Sequence, residues 1–127
     1  MKYLIDTNIL LWWFKNPRIL SNEVEDIIRS GVSVFVSSVS TWEIVIKRAL
    51  GKLKVADTLF SLIEAEGFIE LPVMIEHTKS LAQLPPLHND PFDRLLVAQA
   101  RVEELIFITG DQAIRQYDLP IIFNKKR

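Results

Sequence analysis

Short, continuously apolar runs alternate along this chain with segments of helical periodicity, and that alternation narrows the possible folds more than any other feature. Residues 3–5, 32–36 and 105–108 are the clear runs, and residues 68–71 and 120–123 are weaker ones. Runs of this kind suit strands buried on both faces. Between them, residues 22–30 place Val24, Ile27 and Ile28 on one side, and residues 57–66 and 75–84 form shorter helical patterns. Residues 39–53 carry Val39, Trp42, Ile46, Ala49, Leu50 and Leu53 at helical spacing. Residues 92–102 are apolar around most of the circumference after the first turn, as in a helix packed between layers. Strands alternating with helices predict an α/β fold with a parallel sheet covered on both faces. With 127 residues the chain is a single domain, residues 1–127, able to bury a core without staples.

Composition removes several function classes. Lys and Arg total 15 against 16 Asp and Glu, so the net charge of −1 excludes a polycationic coat for nucleic acid but not a local basic patch. The absence of cysteine removes disulfides, thiolate zinc sites and cysteine nucleophiles, and it suits a reducing cytoplasm. The longest apolar run, residues 9–14, is far below the roughly 20 residues of a membrane span, and Asp6 interrupts any signal-peptide core. The stretch Leu84-Pro85-Pro86-Leu87-His88-Asn89-Asp90-Pro91 is a loop inside the domain.

In parallel α/β folds, ligands bind beyond the carboxyl ends of the strands. The first run is followed by Asp6, the third by Thr109-Gly110-Asp111, and the second by Ser37, Ser38 and the helix bearing Glu43. Asp90 enters the helix that follows it, and Asp93 lies in that helix's first turn. Acids from four segments therefore converge on one sheet edge. Each also has a structural explanation. Asp6 and Asp111 serve equally well as N-caps, and Asp90-Pro91 reads as N-cap and N1. Asp93 at N3 suits the helix dipole. Ser40-Thr41-Trp42-Glu43 matches a capping box if the helix begins at Ser40, and Lys47 is placed to pair with Glu43. If the helix begins at Ser38, Glu43 lies too deep to cap it, beside the apolar stripe and roughly 70° from its centre. A joint cluster of carboxylates suits a hard divalent cation, Mg²⁺ or Mn²⁺. Neither histidine has metal-ligand spacing, so His77 and His88 are assigned to surface or packing roles.

The blocks Leu4-Ile5-Asp6-Thr7-Asn8 and Ser37-Ser38-Val39-Ser40-Thr41-Trp42-Glu43-Ile44 resemble the start of a PIN domain. The stretch His88-Asn89-Asp90-Pro91-Phe92-Asp93-Arg94-Leu95-Leu96-Val97-Ala98-Gln99-Ala100 is similar to the most distinctive part of its VapC-type branch, and Thr109-Gly110-Asp111 matches the place of the fourth acid. The resemblance spans nearly the whole chain. It implies a three-layer α/β/α sandwich with a mostly parallel central sheet, and a Mg²⁺- or Mn²⁺-dependent ribonuclease acting as the toxin of a toxin–antitoxin pair. It carries the catalytic and metal-binding roles onto Asp6, Glu43, Asp93 and Asp111. It implies an RNA substrate, a cognate antitoxin and a homodimer. A catalytically silent PIN-like binding module, or a housekeeping PIN nuclease without antitoxin, is the alternative.

Setting the four acids aside leaves the rest of the chain at +3, which suits a polyanionic substrate. Candidate backbone contacts are Lys15, Arg18, Lys47, Arg48, Lys52, Lys54, Arg94 and the tail Lys125-Lys126-Arg127. Trp12-Trp13-Phe14 cannot all face one core from a helix, so one or two of them are expected to meet another surface, such as a protein interface.

Overall fold

The computed structural model describes residues 1–126. Five strands, β1 (Lys2–Ile5), β2 (Ser33–Ser37), β3 (Ile69–Leu71), β4 (Ile106–Thr109) and β5 (Ile121–Phe123), form one sheet in the order β3-β2-β1-β4-β5. Every pairing is parallel. The helices are α1 (Thr7–Lys15), α2 (Asn22–Arg29), α3 (Ser38–Ala49), α4 (Leu59–Ala65), α5 (Ile75–Leu81) and α6 (Pro91–Val102). Two short 3-10 turns, Pro17–Ile19 and Gln112–Gln116, complete the elements. Each of the five expected runs became a strand, and each expected helical segment became a helix, α2 to α5 stopping short of the expected C-terminal end and α3 and α6 each starting one residue early. The segment at 39–53 is the most altered. It starts at Ser38 and stops at Ala49, where Leu50 and the left-handed Gly51 (φ 73°) turn the chain.

The period-2 alternation of the strands sorts the core into two halves. Tyr3, Ile5, Val34, Val36 and Ile108 pack on one face with residues of α1, α2 and α4. Leu4 and Phe107 face the other way, against Leu96, Val97, Ala98 and Ala100 of α6. Residues 96–100 are all buried, as expected for a helix packed between layers. α3 bridges the halves, with Ile44 in the first and Val39 in the second. The architecture is therefore the expected sandwich, with a sheet that is wholly parallel.

Strand order reverses direction at β1. The chain moves outward through β2 and β3 on one side, then crosses back to β4 and β5 on the other. A crevice beyond the carboxyl ends of β1 and β4 follows from that reversal. Asp6 follows the first strand of the pair, and Gly110-Asp111 the second.

The buried side of α3 differs from the expected apolar stripe. Its buried residues are Val39, Ser40, Glu43 and Ile44, whereas Trp42, Val45 and Leu50 are exposed. Thr7 Oγ1 donates to Ser40 Oγ at 3.0 Å, which makes Ser40 acceptable inside, and Lys47 reaches one oxygen of Glu43. The periodicity in the sequence had merged two faces of the helix, one packed and one open.

The three adjacent aromatics are all half-buried, and each finds a partner within the chain. Trp13 donates from Nε1 to Glu66 at 3.0 Å, with Arg29 over its ring. Phe14 meets Phe68 edge-on, and Trp12 lies under Lys126 and against Gly110. A Cβ added at Gly110 would stand 3.2 Å from the Trp12 ring, a tight contact that the ring would have to relieve by a few tenths of an ångström.

Candidate metal centre

The site begins with helix caps. Asp6 precedes α1 in extended conformation and accepts from the Ile9 N–H through Oδ1 at 2.8 Å. Its second oxygen accepts from Thr109 Oγ1 at 2.5 Å. Asp90 caps α6, accepting from the Phe92 and Asp93 N–H groups. Asp111 caps the following 3-10 turn through Ala113. The cap readings and the site readings of these acids are thus compatible: capping fixes one oxygen of each side chain and aims the rest.

Glu43 is not a capping-box residue. Ser37 is the N-cap of α3, with Oγ accepting from the Val39 N–H, so Glu43 lies more than a turn inside. It is 4% exposed and therefore no surface partner of Lys47, although the two do pair. Lys47 holds Oε2, whereas Oε1 is buried without any hydrogen-bond partner. A buried carboxylate oxygen left unpaired is costly, and a cation is one natural complement for it.

Crowding among the acids confirms that they share one field. Burial raises the Asp6 carboxyl to a pKa of about 6; the bonds from Thr109 and Ile9 oppose this, and the charges of Asp111 and Glu43 add to it. Burial also raises Asp93 to about 7, helped by Asp90, Asp6 and Glu43 and opposed by His88. Asp6 thus feels the charges of Glu43 and Asp111, and Asp93 those of Asp6 and Glu43. One donor atom from each of Asp93, Asp111 and His88 lies within 4.8 Å of the other two. This cluster, which includes neither Asp6 nor Glu43, can hold a metal ion, and its carboxylates suit a hard divalent one.

His88 is the residue that the sequence reading misplaced. Its Nε2 is 2.7 Å from Asp111 Oδ2 and 3.1 Å from Asp93 Oδ2, and its side chain is 15% exposed. Burial lowers its pKa, but the bond to Asp111 and the surrounding acids outweigh this and raise it. Its position in the loop just before Asp90 was the available signal. His77, in contrast, is fully buried, bonded to Met74, Glu103 and Gln99, in keeping with a packing role.

The model of the PIN domain family matches residues 3–119 of the sequence. The chain belongs to the PIN domain family. Solved structures of similar fold include VapBC2 from Rickettsia felis bound to a DNA fragment from their promoter, 18% identical with a TM-score of 0.74 over 98% of this chain and 99% of that one. A toxin–antitoxin complex from Klebsiella pneumoniae is 15% identical, with a TM-score of 0.68 over 95% of this chain and 96% of that one. VapBC-1 from nontypeable Haemophilus influenzae is 22% identical, with a TM-score of 0.67 over 97% and 98%. A comparison with curated proteins found no match. In this PIN domain the acids occupy the edge where β1 and β4 end, and no helix among the described residues is long and apolar enough to cross a membrane.

Several of the expected phosphate-binding cations are engaged within the chain. Lys47 holds Glu43, Arg48 pairs with Asp57, Lys15 reaches the Lys54 carbonyl, and Arg94 reaches the Leu84 carbonyl. Arg127 lies outside the described residues.

Proposed function

We propose that this PIN domain is a Mg²⁺- or Mn²⁺-dependent ribonuclease and the toxin of a toxin–antitoxin pair. The observation carrying the proposal is the unpaired, buried Glu43 Oε1, together with Asp6 and Asp93, whose carboxyls burial and the neighbouring acids raise to about 6 and about 7. Asp6, Glu43, Asp93 and Asp111 are the residues proposed to hold the cation. A divalent cation there supplies an activated water and charge stabilisation for phosphodiester hydrolysis. The chain's own residues set the stage: Thr109 and the α1 cap orient Asp6, Lys47 turns Glu43, and the α6 cap places Asp93 in the first helical turn. Similarity to solved toxin–antitoxin complexes supports the toxin assignment.

A cognate antitoxin is the proposed partner, bound on the open face of α3. That face presents Trp42, 55% exposed, and Val45 to a groove of about 400 Å³. Phe60, Ile63 and Phe68 line it, with Glu64 and Glu70 adding negative charge. An amphipathic helix bearing Arg or Lys fits such a groove, with one basic side chain reaching the acids of the site. A homodimer is proposed alongside; sedimentation at tens of micromolar, roughly the range for a stable interface, tests it, and a monomer overturns it.

The deciding experiment combines growth and cleavage. Induced wild-type protein is expected to arrest growth, Asp6→Asn protein is not, and co-expression of an adjacent small partner gene is expected to restore growth. Purified protein is expected to cut RNA with Mg²⁺ or Mn²⁺ and to stop in EDTA. Cleavage without toxicity points to a housekeeping nuclease. A protein with neither property and no metal-induced thermal shift is a silent binding module.

A further inference from the structure

The spacing of His88, Asp93 and Asp111 would let a metal ion be shared among all three, but the hydrogen bonds around the imidazole favour a different role. His88 Nδ1 accepts from the backbone N–H of Asp90 at 3.0 Å. An amide N–H can only donate, so Nδ1 must offer a lone pair, and in the neutral ring the hydrogen sits on Nε2. That nitrogen faces the carboxylates, at 2.7 Å from Asp111 and 3.1 Å from Asp93. A metal-binding imidazole has the reverse arrangement, with its lone pair toward the ion and its N–H toward an acceptor. The Asp90 N–H is itself held in place, because the Asp90 side chain caps α6 through Phe92 and Asp93. His77 is oriented in the same way, with Nδ1 accepting from the Met74 N–H and Nε2 against Glu103.

We infer that His88 is a hydrogen-bond donor that positions Asp111, beside Asp93, and is not a ligand of the cation. The inference rests on the metal-site reading above and gives the His88 loop a task within it. Asp111 then has both oxygens directed, Oδ1 by the Ala113 N–H and Oδ2 by His88. The α6 cap thereby reaches across the crevice: Asp90 sets His88, and His88 sets the acid that follows β4. Carboxylates that bind metal are commonly held in this way by groups behind them.

The test uses the full chain and Mn²⁺ alone. Pulsed EPR of the Mn²⁺-loaded protein is expected to show no nitrogen bound directly to the metal. Calorimetric Mn²⁺ affinity is expected to fall by about 10- to 100-fold in His88→Ala, the usual effect of losing such a support. In His88→Gln, whose amide N–H can replace the donor, most of the affinity is expected to return. A directly bound nitrogen that vanishes in His88→Ala overturns this inference while leaving the metal centre intact. Unchanged affinity in a folded His88→Ala protein also overturns it. A wild-type protein that binds no Mn²⁺ overturns the metal-centre reading as well, so the two failures are distinguishable.

Discussion

Thr109 Oγ1 donates to Asp6 Oδ2 at 2.5 Å, joining the end of β4 to the end of β1 across 103 residues of sequence. The same hydroxyl accepts from the Asp111 N–H at 3.0 Å, so one side chain sets the positions of two acids. Thr109→Val keeps the shape and removes both bonds. It is expected to lower stability by about 1–3 kcal/mol and to raise the Asp6 pKa, because a buried carboxylate oxygen loses its donor. Thr109→Ser is expected to restore both. Chemical denaturation and NMR titration of the Asp6 carboxyl check the pair.

Stability of the metal-free protein is expected to fall as pH rises from about 4 to about 7. Unfolded Asp side chains titrate near 3.8, whereas Asp6 and Asp93 hold their protons to about 6 and 7 in the fold. Across that window the folded state binds more protons, so raising pH favours unfolding through these groups, and above it their effect is constant. A cation that binds only the folded state offsets the loss. Thermal melts across pH, with and without Mn²⁺, are the measurement. A profile identical in both conditions would count against the site.

Asp93→Asn is expected to separate stability from activity in opposite directions. It removes a charge that burial and neighbouring acids already disfavour, so the metal-free variant should melt higher at pH 7.5, by on the order of 1–3 kcal/mol in stability. Removing a proposed ligand should meanwhile reduce RNA cleavage by orders of magnitude. A variant that is both less stable and fully active would refute both halves.

Gln99 is expected to matter more than its distance from the acids suggests. It accepts from Ser37 Oγ at 2.5 Å and donates to the Pro72 carbonyl at 3.3 Å, within 3.4 Å of His77. Ser37 is also the N-cap of α3, so the bond couples the helix carrying Glu43 to the helix carrying Asp93. Ser37→Ala and Gln99→Leu are each expected to destabilise by about 1–3 kcal/mol, because each strands a buried partner. The double variant is expected to lose less than the sum. A double-mutant cycle by urea unfolding reads this directly.

The elements and the acids were legible in the sequence because they follow local rules: short apolar runs, helical spacing, and carboxylates after strands. Asp90-Pro91 read correctly as a cap, since N-cap and N1 chemistry is set within a few residues. His88 was not legible, because its role depends on Asp111, 23 residues away, and on a backbone N–H whose direction only the folded loop fixes. The face of α3 was misread for a related reason. Hydropathy marks Trp42 and Leu50 as core, but both are exposed, and the polar Ser40 and Glu43 are inside, met there by Thr7 and Lys47. Strand order, too, is a long-range property.

That strand order has a consequence for biosynthesis. β1 precedes the other strands in the chain yet occupies the middle of the sheet, and its neighbour β4 is made only after β2 and β3. A nascent chain ending after α3 holds Asp6 and Glu43 but neither Asp93 nor Asp111, and one edge of its first strand has nothing to pair with. Pairings between distant segments form late and slowly. The acids therefore cannot all meet until β4 has been made, and a fragment that stops after α6 holds Asp6, Glu43 and Asp93 without Asp111.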